Sequence, residues 1–195
     1  MRKLQIGIDM DGVLCNLLVK WLEKYNADFH DDLKPEDITL WNWHPLTKDK
    51  KGEKIYTFLD DPELFLNLPV IEGSQEVLRK YHKDIDFWIV TACFNPENML
   101  PKWKWLRMHF PFLDSKKFMF VRDKGGFAGD LLVDDKPENI DRLNGRGILF
   151  TAPHNKHRGG YMRADNWYEL DKIFDRLLYW RRFEDIKVSQ LAYVH

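Results

Sequence analysis

The sequence predicts an α/β protein with a doubly wound parallel sheet, and three observations carry that prediction. Short, almost wholly apolar runs recur along the chain, at Leu4–Ile8, 86–90, Phe118–Val121, 130–133 and Gly147–Phe150. Segments with helical spacing of apolar residues separate them. Several of the runs stop abruptly at a polar residue able to do chemistry. Strands buried on both faces read as continuous apolar runs, so such runs between helices indicate a parallel sheet covered on both sides.

Taken in order, Leu4–Ile8 is a buried strand that ends in Asp9-Met10-Asp11-Gly12. The character then changes from residue 16 to about 70. Leu17, Leu18, Trp21, Leu22 and Tyr25 fall at helical spacing, and a stretch rich in Asp, Lys, Trp and Pro follows with no strand pattern. This predicts a mostly helical insertion. The spacing predicts a helix over 73–81, with Val77, Leu78 and Tyr81 on one face. The strand 86–90 ends at Thr91, and a helix over 101–110 is opened by Pro101, where a first-turn residue needs no N–H donor. Phe118–Val121 is followed by Lys124, and 130–133 ends at Asp134-Asp135. A short helix over 137–143 and the strand Gly147–Phe150 come next. Residues 166–183 form a long amphipathic helix with Leu170, Ile173, Phe174, Leu177 and Leu178 on its apolar side. The expected organisation is a Rossmann-like core of residues 1–15 and 71–195, with a small cap of residues 16–70 inserted after the first strand.

Composition narrows the class. The 195 residues balance 30 basic against 31 acidic side chains, with no dense Lys/Arg block, which argues against binding a nucleic-acid polymer. No apolar stretch is long enough to span a bilayer, and the N-terminus lacks a signal-peptide pattern. Cys15 and Cys93 make neither a zinc pattern nor a disulfide framework, so the expected setting is reduced and cytoplasmic.

In a parallel sheet ligands gather beyond the C-terminal strand ends, so the polar residues there are the informative ones. Asp9 and Asp11, with Asp134 from another strand end, make a hard oxygen site suited to Mg²⁺. Bare carboxylates repel a phosphate monoester, so a metal and a lysine must offset their charge; Lys124 supplies the lysine. Thr91 offers a hydroxyl and nearby N–H groups to a phosphoryl oxygen. The chemistry expected has two steps, attack by Asp9 on phosphorus and hydrolysis of the resulting aspartyl-phosphate, with Asp11 as general acid and then base. Each residue also has a structural alternative: Asp-Gly is a turn former, Thr91 suits a helix N-cap, and Asp134-Asp135 suits a capped helix start. Trp41, Trp43, Tyr56 and Phe58 serve either a base-stacking surface or the cap's own apolar core. Arg122 reaches either a substrate or a surface ion pair, and His154 and His157, without a third ligand, belong to a solvated loop.

Asp9-Met-Asp11-Gly-Val resembles the first motif of the haloacid dehalogenase superfamily, Thr91 after Trp88-Ile89-Val90 its second, Lys124 its third, and Asp134-Asp135 its fourth. Arg122-Asp123-Lys124, the run from Gly129 to Lys136, and Ile148-Leu149-Phe150-Thr151 with His154-Asn155 are more specifically similar to the 5'(3')-deoxyribonucleotidases. Phe65-Leu66-Asn67-Leu68 before Gly73 resembles the segment that closes the cap insertion of that family. The resemblance implies Asp9 as nucleophile, Asp11 as general acid/base, and Thr91 and Lys124 as phosphate ligands. It implies Mg²⁺ held by Asp9, the backbone carbonyl of Asp11, and Asp134, with Asp135 supporting the metal's waters. The implied substrate is a nucleoside monophosphate, preferably deoxy, whose base meets cap residues; relatives of this type are often homodimers. Two positions depart from the pattern: Leu17 or Leu18 stands where the family has an aromatic substrate contact, and Ala92 follows Thr91 where it has a hydroxyl.

Overall fold

A computed structural model describes residues 2–47 and 52–183. Six parallel strands form one sheet in the order β3-β2-β1-β4-β5-β6. They are β1 (Leu4–Ile8), β2 (Ile85–Ala92), β3 (Phe118–Val121), β4 (Leu131–Asp134), β5 (Gly147–Phe150) and β6 (Met162–Ala164). β1 lies between β2 and β4, with Ile8 opposite both Ile89 and Val133. This α/β, Rossmann-like sheet is the one the apolar runs predict. β4 and β5 are buried at every position, as continuous runs require.

Helices α2 (Ser74–Tyr81), α3 (Met99–His109), α4 (Pro137–Asp141) and α5 (Trp167–Phe183) cover the sheet. Trp167, Leu170, Phe174 and Leu177 of α5 join Tyr81 and Phe87 in the larger core. Val90, Phe127, Leu132 and Leu143 make a second, smaller cluster.

The structure departs most from the sequence reading at β6, β2 and α3. β6 was not expected: it has only three residues and Arg163 at its middle, too short for any periodicity. Its pairing to β5 is reinforced by the Arg163 guanidinium, which donates to Thr151 Oγ1 and Asn155 Oδ1 at 3.0 and 2.9 Å. β2 extends past Val90, so Thr91 lies within the strand opposite Phe120 rather than capping a helix. α3 begins at Met99, two residues before Pro101, because a 3₁₀ turn at Pro96–Asn98 leads into it.

Residues 16–70 contain α1 (Leu17–Phe29) and a series of 3₁₀ turns, at Pro35–Asp37, His44–Leu46, Gly52–Asp60 and Pro62–Phe65. Asn16 caps α1 by accepting from the Val19 N–H. Trp21, Leu22, Tyr25, Ile38, Trp43 and Ile55 bury one another in a cluster of their own. The chain leaves and re-enters the core side by side. The Asn16 N–H donates to the Pro69 carbonyl at 2.8 Å and the Ile71 N–H to that of Leu14 at 2.9 Å, with Cys15 bridged antiparallel to Val70 between them. Two indoles brace this crossing: Trp167 Nε1 donates to the Val13 carbonyl, and Trp105 Nε1 to that of Leu68.

Candidate active site

The C-terminal ends of β1, β2 and β4, with the turn after β3, converge on one group of charged side chains. Asp9 follows β1, and its N–H continues the ladder to the Val133 carbonyl at 2.9 Å. Asp9 is buried, with Oδ1 accepting from the Met10 N–H at 2.7 Å and lying 2.6 Å from Lys124 Nζ. Lys124 opens a 3₁₀ turn after β3; it is 3% exposed and also reaches Asp134 Oδ2 at 2.7 Å. Asp134 is held further by the Lys136 N–H and by the Asn139 amide of α4.

Asp135, also buried, has its main-chain carbonyl bound by Asn155 Nδ2 at 2.7 Å, and His154 Nε2 lies 3.0 Å from the same oxygen. Its Oδ1 has no hydrogen-bond partner among the described residues. Gly12 makes the turn possible. Its φ is 81°, and a Cβ there would stand 2.4 Å from Asp135 Oδ2.

Charge is crowded here. Burial, chiefly, pushes the Asp9 carboxyl up to about 7; Lys124 opposes this, and Asp134 and Asp11 add to it. Asp135 is driven well above the carboxylate range, first by burial and then by Asp9 and Asp134. Burial works against the Lys124 ammonium too, but Asp134 and Asp9 outweigh it and hold the group charged.

The carboxylates of Asp9, Asp134 and Asp135 offer oxygens all within 4.8 Å of one another. Three buried acids, one with an orphaned oxygen, are a hard donor set that fits Mg²⁺. Asp11's side chain is outside this group. It turns instead to Lys102, whose Nζ donates to Asp11 Oδ2 at 2.5 Å and to the Ala92 carbonyl at 2.9 Å, and lies 3.2 Å from Thr91 Oγ1. Cys15, whose thiol is pushed up by burial first and then by Asp11, lies with Sγ 3.7 Å from Asp11 Oδ1.

Asp9, Asp11, Thr91, Lys124, Asp134 and Asp135 are thus brought together. Among the remaining candidates, Trp41 reaches the same edge: its half-exposed ring lies 4.4 Å from Lys136 Nζ and edge-on to His154 at 5.0 Å. Trp43 does not. It is 2% exposed inside the 16–70 cluster, edge-on to Trp21 and Tyr25, with no face left for a ligand. Tyr56 packs on the same cluster, its hydroxyl 3.3 Å from His44 Nδ1. Leu17 packs against the main core, and Arg122 is exposed beside the ring of Phe94.

Lys102 and Asn139 were not singled out from sequence. A signal for Lys102 existed: it precedes Trp105 by three residues and Leu106 by four, so it shares their buried stripe.

A model of the family described as 5' nucleotidase, deoxy (pyrimidine), cytosolic type C protein (NT5C) matches residues 2–178. The chain belongs to this family. Family membership makes it a hydrolase of the nucleotidase kind. Among relatives, a 5'(3')-deoxyribonucleotidase of Clostridium acetobutylicum is 34% identical over 177 residues, covering 91% of this chain and 98% of its own. One from Bacillus subtilis is 35% identical over 168 residues, covering 86% and 96%. A haloacid dehalogenase-like protein of Agrobacterium tumefaciens superposes with a TM-score of 0.62 at 13% identity, covering 89% of this chain and 98% of its own. A magnesium-bound HAD hydrolase structure from Bacillus subtilis does so at 0.58 and 15% identity, covering 90% and 100%. At these identities the solved structures show the fold. No helix among the described residues is long and apolar enough to cross a membrane.

Proposed function

We propose that the chain is a Mg²⁺-dependent phosphomonoesterase that hydrolyses deoxyribonucleoside 5'- or 3'-monophosphates, with Asp9 as its nucleophile. The observation that carries this reading is the placement of Asp9 at the end of the central strand, where Lys124 bridges it to Asp134, with Asp11 two residues on and tied to Thr91 through Lys102. The names of its relatives support the nucleotide substrate.

In the first step an oxygen of Asp9 bonds to phosphorus, and the ester P–O bond breaks with its electron pair leaving on the ester oxygen. Asp11 gives that oxygen its proton, and the nucleoside departs. In the second, Asp11 takes a proton from water as the water oxygen attacks the aspartyl-phosphate. The bond to Asp9 breaks, its electrons return to the carboxylate, and inorganic phosphate is released. Thr91 Oγ1 seats a phosphoryl oxygen, and Lys124 offsets the charge of the dianion. Asp9, Asp134 and the backbone of Asp11 would hold Mg²⁺, with Asp135 beside its waters; the ion supplies orientation of the phosphate and charge neutralisation. Trp41, at the rim over Lys136, is the cap side chain best placed to meet a base. The domain division at residues 15 and 70, and a cytoplasmic setting with a small-molecule rather than polymeric substrate, belong to the same reading.

Phosphate release from a panel at fixed Mg²⁺ tests it. dUMP and dTMP should be turned over at least tenfold more efficiently than sugar phosphates. A preference for sugar phosphates removes the nucleotidase assignment, and no release from any monoester removes the phosphatase.

A further inference from the structure

The two-step scheme gives no task to Lys102, yet the fold keeps this lysine at considerable cost. It is 2% exposed, and it lies in the first turn of α3, where the helix dipole disfavours a cation. An aliphatic residue would satisfy the neighbouring Trp105 and Leu106 without either penalty. What offsets the cost is a full set of acceptors. Three donors meet three oxygens, Asp11 Oδ2 at 2.5 Å, the Ala92 carbonyl at 2.9 Å and Thr91 Oγ1 at 3.2 Å, while the Phe65 ring lies 4.8 Å from Nζ.

Those acceptors come from two different strand ends. Asp11 sits on the turn after β1 with its side chain about a quarter exposed; among the described residues Lys102 is the strong donor to its carboxylate, and the Cys15 thiol at 3.7 Å is a weak one. Thr91 is rigid within β2. The ammonium joins the two. By taking Oδ2 it leaves Oδ1 as the oxygen of Asp11 that can carry a proton. By donating to Thr91 Oγ1 it leaves that hydroxyl's own hydrogen to point at an incoming oxygen.

We propose that Lys102 is a positioning residue for proton transfer: it locks Asp11 through Oδ2 and registers it against Thr91, so that Oδ1 meets the leaving ester oxygen. The inference rests on the reading of Asp11 as general acid.

The test compares leaving groups. Lys102→Met is assayed with Mg²⁺ on dUMP, whose alkoxide must be protonated to depart, and on p-nitrophenyl phosphate, whose phenolate departs without a proton. The readout is kcat/KM, which reports the first phosphoryl transfer and not the later hydrolysis. General acid catalysis contributes about 10²–10⁴-fold, and loss of its positioning should remove about 10–100-fold of it on dUMP. The loss on p-nitrophenyl phosphate should be at least tenfold smaller. In an Asp11→Asn background, Lys102→Met should lower kcat/KM on dUMP by less than about threefold, because the group it positions is already gone.

Equal losses on the two substrates, or a full further loss in the Asp11→Asn background, overturn the proposal in favour of a structural or phosphate-binding role. Lys102→Gln, which keeps the polar contacts without the charge, makes the same comparison if Lys102→Met does not fold. The underlying reading fails separately: it falls if the wild-type protein releases no phosphate, or if Asp11→Asn alone leaves dUMP hydrolysis unchanged, and the role of Lys102 falls with it.

Discussion

Replacing Asp9 by asparagine should abolish phosphate release and, in the absence of metal, make the protein more stable. The carboxyl of Asp9 is raised from the ordinary 3.8 to about 7, mainly by burial. An acid whose pKa is higher folded than unfolded costs nothing below about 3.8, where both states hold the proton. Stability then falls as the pH rises, and the full cost is reached above about 7. Shifting a carboxyl across that interval costs on the order of 4 kcal/mol. Asparagine keeps the shape and removes the ionisation, while the value of about 7 already carries the stabilising pull of Lys124 on the charged form. Lys124 retains Asp134, so it is not left unpaired.

The expected balance at pH 8 is a gain of up to about 4 kcal/mol, shrinking to about 1–2 kcal/mol at pH 5. Urea unfolding at both pH values in the presence of a chelator measures it, and added Mg²⁺ should then favour the wild type. If Asp9→Asn is less stable than wild type at pH 8 in chelator, or if the gap is the same at both pH values, the account of Asp9 as a carboxylate held against its own desolvation is wrong.

Other substitutions follow from particular contacts. Gly12→Ala places a methyl against Asp135 at a positive φ; it should cost about 1–3 kcal/mol in thermal or urea unfolding and lower kcat/KM at least about tenfold. The two tryptophans Trp41 and Trp43 should behave oppositely. Trp41→Ala should leave unfolding within about 0.5 kcal/mol of wild type and raise KM for a nucleotide several-fold, as steady-state kinetics will show. Trp43→Ala should cost about 3–5 kcal/mol in the same unfolding measurement, because it empties the middle of a buried cluster.

The sheet was legible because β1, β4 and β5 are buried at all or nearly all positions, and continuous apolar runs need no knowledge of their neighbours to be recognised. β1, β3 and β5 begin and end where those runs do. β6 escaped because a three-residue edge strand carries no period, and what holds it is the tertiary reach of Arg163. The convergence of Asp9, Lys124 and Asp134 was likewise readable, since a parallel sheet places all its C-terminal ends on one side. Lys102 was not, because its contribution depends on which face of α3 turns toward the site. Trp41 and Trp43 are identical in kind and two residues apart; only the packing around Trp21 and Tyr25 tells the rim residue from the core residue.

The doubled crossing at Leu14–Asn16 and Pro69–Ile71 has a consequence for how such a chain can change. Its two passes are clasped by main-chain hydrogen bonds, which do not depend on side-chain identity. Among the described residues, no strand of the sheet runs through the excursion between them. Doubling the length of a segment whose ends are already held together costs only about 0.6 kcal/mol in closure entropy. Insertions, deletions and wholesale rewriting beyond the clasp can therefore accumulate without disturbing the alignment of Asp9 with β4. The reacting end is shielded from innovation while the end that would select a substrate is exposed to it, and a single ladder of backbone contacts marks the border.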